Sequence, residues 1–235
     1  MPKYVNQSAD AVIDKEYPVL DRGFVRLVDY CGGDDRIVQA ARVSYGDGTK
    51  TVREDAALID YLMRHQHTSP FEMVSLTFHC KMPVFVARQW VRHRTAKLNE
   101  ISGRYSVMKN EFYVPEPSAV SVQSSDNKQG RGAAADADAR DRFLSLLHED
   151  QEQVYAHYEE VVESGIAREL ARINLPLSLY TEWYWTMDLH NLFHFLALRL
   201  DPHAQMEIRV YAEAMLNIVR QVAPNATASF ENHIL

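Results

Sequence analysis

Between Met73 and Lys81 the chain alternates without a break. Val74, Leu76, Phe78 and Cys80 fall on one side, and Ser75, Thr77, His79 and Lys81 on the other. That period of two belongs to a strand with one face in a core and the other in polar surroundings. Whatever else the chain does, it must cover the apolar face of this strand. Candidate covers recur at helical spacing: Leu58, Ile59, Leu62 and Met63; then Phe143, Leu147, Val154, Tyr158 and Val161 or Val162 within 140–164. A third set, Ile208, Tyr211, Met215, Ile218 or Val219, and Val222, lies within 203–222.

The remaining elements follow from local signals. Phe24–Tyr30 reads as a first strand after Gly23, and Asp34 or Asp35 can cap a helix running through Val43. Gly46 and Gly48 break the chain before the next helix. Ser69-Pro70-Phe71-Glu72 fits a capping box with proline at the first helical position, and Pro83 opens a helix from Val84 to Arg92. Asn99–Ser102 reads as loop and Glu111–Pro115 as a short strand. The polar segment 118–138 reads as a mobile surface loop, an insertion rather than a lid. Gly165 stops the 140–164 helix, and Ile166–Ile173 forms a short helix closed before Pro176. Thr181–Met187 is an aromatic-rich strand, and Asp188 caps a helix from Leu189 to Arg199.

These elements predict an α+β fold in which residues 1–235 form a single domain, with a mixed sheet and long flanking helices. The length suits one well-buried core. No run approaches the ~18 apolar residues of a membrane span, and the start lacks the build of a signal peptide. The two cysteines, Cys31 and Cys80, are isolated and outline neither a zinc site nor a disulfide framework. A soluble cytoplasmic protein without a membrane partner is the expectation.

Chemistry concentrates between Arg88 and Tyr105. This stretch holds Arg88, Arg92, His93, Arg94, Lys97 and Arg104 against one carboxylate, Glu100, in a chain whose formal charge is -7. Such an island is either a solvated helix end or a seat for an anion, whose phosphate or carboxylate suits the planar fork of arginine. The acidic balance elsewhere argues against a broad nucleic-acid surface. Farther on, a wheel drawn at 100° per residue places Arg199 within about 20° of Asp188 and close to Leu192 and Phe195. A guanidinium on an inward stripe is costly unless it meets an anion or a hydrogen-bonding ligand. His190 and His194 share another face, but no suitable third ligand stands near, which argues against a metal.

Arg92-His93-Arg94, seven residues, Ser102 and then Gly103-Arg104-Tyr105 together resemble the signature of the flavin-dependent thymidylate synthases. Three further segments are similar to the same family: His67–Glu72, Arg168–Pro176 and Trp185–Gln205. The resemblance covers nearly the whole chain and implies reductive methylation of dUMP to dTMP. It implies 5,10-methylenetetrahydrofolate as one-carbon donor, NADPH-reduced FAD as hydride source, and tetrahydrofolate as released product. It also implies a homotetramer with active sites at subunit interfaces.

Carried over by position, Ser69, Arg92, His93, Arg94, Glu100, Asp188, His190 and His194 would contact FAD. Gln89, Trp90, Val91, Arg92, Glu100, Ile101, Ser102, Gly103, Arg104, Arg172 and Arg199 would contact dUMP. The Ser102-Gly103-Arg104 turn would take the phosphate, and Arg199 would act on the uracil ring. Ser102 has no base evidently placed to make it a nucleophile. Neither cysteine has the preceding proline and nearby histidine that the other class of thymidylate synthases needs, and no Rossmann glycine pattern occurs. The chain departs from the family pattern where Lys97 stands for a serine and where Asp188 and His190 stand for Asn and Arg. A non-catalytic nucleotide or RNA binder would use the basic island alone and leave Arg199 unexplained.

Overall fold

The computed structural model describes residues 5–43 and 55–235. Gly46 and Gly48 lie outside the described residues, as do Met1 to Tyr4. The elements run α1 (Gln7–Asp10), β1 (Glu16–Val19), β2 (Gly23–Cys31), α2 (Asp34–Arg42), α3 (Asp55–Arg64), β3 (Ser75–Pro83), α4 (Val84–Trp90) and β4 (Lys97–Glu100). They continue with β5 (Ser121–Gln123), β6 (Arg131–Ala134), α5 (Ala137–Glu163), α6 (Arg168–Ala171), β7 (Tyr180–Asp188), α7 (Leu189–Arg199), α8 (Met206–Val222) and α9 (Pro224–His233). None of the described helices is long and apolar enough to cross a membrane.

The alternation at 73–81 does what it must. β3 lies in the middle of a five-stranded sheet ordered β1-β2-β3-β7-β4, with Val74, Leu76, Phe78 and Cys80 wholly buried. Every ladder is antiparallel. Among the described residues the mixture of strand directions expected from the sequence is confined to an isolated parallel bridge between Ile13 and Leu27. On the buried face Val25, Leu27, Trp183, Trp185 and Met187 join the β3 residues under α4, α7 and α8. Trp90, at the end of α4, is the hub: its ring lies 5.3 Å from Trp183, 5.5 Å from Trp185, 5.1 Å from Phe195 and 5.7 Å from Tyr211. The opposite face is polar. There His79 stacks on Tyr184 and sits between Arg26 and Glu182, while Thr77 and Thr186 share a hydrogen bond across the ladder.

α5 packs through a smaller cluster of Met108, Phe112, Tyr155, Tyr158 and Leu179. The Tyr158 hydroxyl accepts from the Met108 N–H and the Tyr155 hydroxyl donates to the Met108 carbonyl, both at 2.9 Å. Gly165 ends this region at φ +84°, the left-handed geometry that favours glycine.

Several local expectations are revised. Asn99 and Glu100 belong to the edge strand β4 rather than to a loop, paired with Tyr184 and Trp183. The segment 118–138 carries the β5–β6 hairpin and the first two residues of α5. Glu111–Pro115 contributes only a bridge from Phe112 to Leu179. Phe71–Met73 is a single 3₁₀ turn closed by the Thr68 carbonyl, because Val74 is already extended and feeds β3. Asp34 does not cap its own helix; its carboxylate accepts from the N–H groups of Asn225 and Ala226 at the start of α9.

Candidate functional site

α4 ends at Trp90, and the chain turns through Arg92–Thr95 before returning as β4. Two ties fasten that turn to α7. The Thr95 hydroxyl donates to Asn191 Oδ1 at 2.8 Å, and Asn191 in turn donates its backbone N–H and side-chain Nδ2 to the Asp188 carboxylate. Asp188 is thus the helix cap that the sequence predicts, and Asn191 links the cap to the basic turn. At the other end of α7, Arg199 donates from Nε to His93 Nε2 at 3.1 Å and from Nη2 to the Gln89 carbonyl at 3.5 Å. The gap between turn and helix is a cleft of about 330 Å³. Arg92, His93, Arg94 and Thr95 form one wall, and Asn191, His194, Leu198 and Arg199 the other.

The electrostatics of this cleft are one-sided. Its lining holds three arginines, two histidines and no carboxylate. Among the described residues no acidic group pairs with Arg92, Arg94 or Arg199. Burial first, then the Arg199 charge and His194, push His93 down to about 4, so near neutral pH it is uncharged. A neutral imidazole that accepts at Nε2 carries its proton on Nδ1. His93 therefore orients Arg199 without adding charge. Burial also lowers Arg199 from its ordinary value, as expected for a guanidinium half out of water.

The second group of candidate residues lies elsewhere in the chain. Glu100, Ile101, Gly103 and Arg172 line another cleft of about 330 Å³ that shares no lining residue with the first. Thr181 Oγ1 donates to Glu100 at 2.6 Å and fixes it at the edge of the sheet. A Cβ placed on Gly103 would stand 3.1 Å from Arg172 Cδ and 3.1 Å from Met108 Sδ, so here only a glycine lets Arg172 lie against the backbone undisturbed. Ser102 is half-buried, and its hydroxyl accepts from the Arg104 N–H at 3.3 Å. Arg104 lies on the surface against Glu169, whereas Arg172 has no acidic partner among the described residues.

A third pocket, apolar and about 220 Å³, opens between α3, α7 and α9. His190 and His194 line it together with His67, Thr68, Phe71 and Phe193. His194 belongs to both this pocket and the arginine cleft, so the two adjoin. Ser69 is exposed and lines neither; Thr68, beside it, faces the pocket and bonds Glu72.

The structure thus gathers Arg92, His93, Arg94, His194 and Arg199 at one cleft, with Asp188 and Gln89 immediately behind it. It gathers Glu100, Ile101, Gly103 and Arg172 at another. Trp90, expected beside dUMP, has its side chain wholly buried as the core hub. Val91 is partly exposed at the C-terminal cap of α4. Sequence reasoning missed Thr95 and Asn191. Their signal was present: Thr95 continues the basic run, and Asn191, His194 and Leu198 repeat at helical spacing on the face opposite the core.

Comparison with known proteins follows the same lines. The thymidylate synthase complementing protein family matches residues 26–225. The chain is similar to the flavin-dependent thymidylate synthase of Treponema denticola, 66% identical over 222 residues that cover 94% of this chain and 84% of that one. It is also similar to a flavin-dependent thymidylate synthase of Thermus thermophilus, 64% identical over 219 residues covering 93% and 79%. Among solved structures, the UMP/dUMP methylase PolB from Streptomyces cacaoi bound with 5-Br dUMP superposes with a TM-score of 0.84 at 33% identity, covering 93% of this chain and 98% of that one.

Proposed function

Because the chain belongs to the flavin-dependent thymidylate synthase family, a family of dUMP methyltransferases, we propose that it makes dTMP from dUMP with FAD, NADPH and 5,10-methylenetetrahydrofolate, releasing tetrahydrofolate. The observation that carries this reading is the arginine cleft: three guanidiniums with no carboxylate between them, joined through His194 to an apolar pocket. Flavin dinucleotide has the matching chemistry, a pyrophosphate for the cations and flat apolar rings for the pocket. Arg92 and Arg94 would hold the anionic bridge, with His93, His190 and His194 beside it. When bound, FAD supplies the hydride that completes the new methyl group.

The protein's own contribution is electrostatic. Arg199 places a guanidinium where negative charge grows on the uracil ring, which enriches the carbon to be alkylated without a cysteine nucleophile. Neutral His93 accepts the Arg199 Nε–H and orients that guanidinium without adding a charge of its own. Ser102, Gly103, Arg104 and Arg172 would take the dUMP phosphate. Gly103 and Arg172 line a cleft that shares no lining residue with the arginine cleft, and this supports a homotetramer in which one chain's phosphate-binding turn completes the flavin cleft of another.

The test is direct. Purified protein should carry flavin absorbance, or acquire it on incubation with FAD, and should convert dUMP to dTMP only when NADPH and methylenetetrahydrofolate are present. Formation of dihydrofolate in step with dTMP would overturn the mechanism, and a colourless protein that cannot be reconstituted would favour a nucleotide binder.

A further inference from the structure

Glu207 is 1% exposed, opens α8, and lies in none of the segments assigned a ligand above. It receives a hydrogen bond from each side. Tyr113 donates its hydroxyl to Oε1 at 3.1 Å, Arg131 of the β5–β6 hairpin pairs with the same oxygen, and Gln205 Nε2 donates to Oε2 at 2.9 Å. Gln205 then accepts through Oε1 from Gln89 Nε2. Burial alone would raise the Glu207 carboxyl, yet the hydrogen bonds from Arg131 and Gln205 outweigh it and hold the group below the ordinary range. An ionised carboxylate only accepts, so the Gln205 amide must turn its NH₂ toward Glu207 and its oxygen toward Gln89. Gln89 must then donate to Gln205, and its own Oε1 accepts from no donor among the described residues. The backbone carbonyl of Gln89 meanwhile accepts from Arg199.

We infer that Glu207 is a positioning residue that acts through Gln205 to fix the amide of Gln89, so that Gln89 meets the nucleotide as a hydrogen-bond acceptor. This rests on the reading of Gln89 as a substrate contact. In the wild type the amide is set before the ligand arrives; without the carboxylate both glutamines are free to turn over, and part of the population presents the wrong group. The expected cost is one hydrogen bond, about a fivefold to tenfold rise in the KM for dUMP with kcat little changed.

The experiment is a double-variant cycle on the FAD-loaded enzyme with Glu207→Gln, Gln89→Ala and the pair, reading KM for dUMP, kcat and Tm. If Glu207 acts through Gln89, the Glu207 change adds nothing to KM once Gln89 is gone, although it still lowers Tm. Additive KM effects, or a Glu207→Gln enzyme that loses only Tm, would overturn the inference. If Gln89→Ala alone leaves KM unchanged, the substrate-contact reading fails instead. Gln205→Met, which cuts the relay and leaves the carboxylate its tyrosine and arginine, should match Glu207→Gln in KM; a normal KM would again sink the relay, even if Glu207→Gln does not fold.

Discussion

Arg199→Met separates what the guanidinium does for the fold from what it does for the reaction. In the structure Arg199 ends a stripe of buried residues, has no carboxylate partner among the described residues, and makes two hydrogen bonds, to His93 and to the Gln89 carbonyl. Losing those bonds costs roughly 1 kcal/mol each, and relief from half-burying a charge and packing an apolar side chain there returns a similar amount. The net should lie within about 1 kcal/mol, a Tm change of no more than about 2–4 °C for a chain of this size. Activity should behave otherwise: removing one group that stabilises developing charge lowers kcat by about 10²–10³. Steady-state dTMP formation and calorimetry on the same flavin-loaded sample read both. A variant that kept full activity, or that lost activity only because it melted early, would refute the role given to Arg199.

The same variant carries a pH signature. His93 is held at about 4 against an ordinary 6.5, so between those values the unfolded chain binds a proton that the native chain refuses, and stability falls as pH drops through that window. With Arg199 gone, His93 should rise toward 6.5 without reaching it, because burial is the larger cause; proton NMR of its ring checks this, and an unmoved titration contradicts the pairing. Gly23→Ala would bring a Cβ within 2.1 Å of the Tyr211 hydroxyl and 2.7 Å of the Val19 carbonyl, breaking the buried bond from Tyr211 to the Lys81 carbonyl. A loss of about 3 kcal/mol or more should appear in a urea melt, and an unshifted midpoint would deny that packing. Asp34→Ala removes the cap of α9 and should cost about 1–2 kcal/mol, with faster amide exchange at Asn225 and Ala226; protection unchanged from wild type counts against it.

How much of this was legible in the sequence depended on where each element finds its partner. β3 was plain because its two faces meet opposite environments. β4 was not, since Lys97, Leu98, Asn99 and Glu100 are all exposed and the strand exists by backbone pairing to β7 alone. The β5–β6 hairpin is hidden for the same reason, and Arg131 reaches from it to Glu207, 76 positions away. α9 takes its cap from Asp34, 191 positions earlier than Asn225, which no local window contains. In the site, Arg199 was readable because a charge on an inward stripe is an anomaly, whereas Glu207 sits at the start of a helix, where an acidic residue looks ordinary.

The division of candidate residues between two clefts carries the last prediction. Arg199 lies in one and Arg172 in the other, and the two share no lining residue. On the reading proposed above one nucleotide needs both, its phosphate held by one chain and its ring by another. Arg199→Met and Arg172→Gln should then each be nearly inactive alone. Mixed, denatured and refolded together in equal amounts, they should regain activity at about a quarter of the sites, the share that random assembly of a symmetric oligomer supplies with both arginines. If a single chain furnished both groups, every site would lack one of them and mixing would restore nothing. A refolded mixture that assembles fully and remains inactive would therefore place both arginines within one chain's site and remove the reason for an active site shared between subunits.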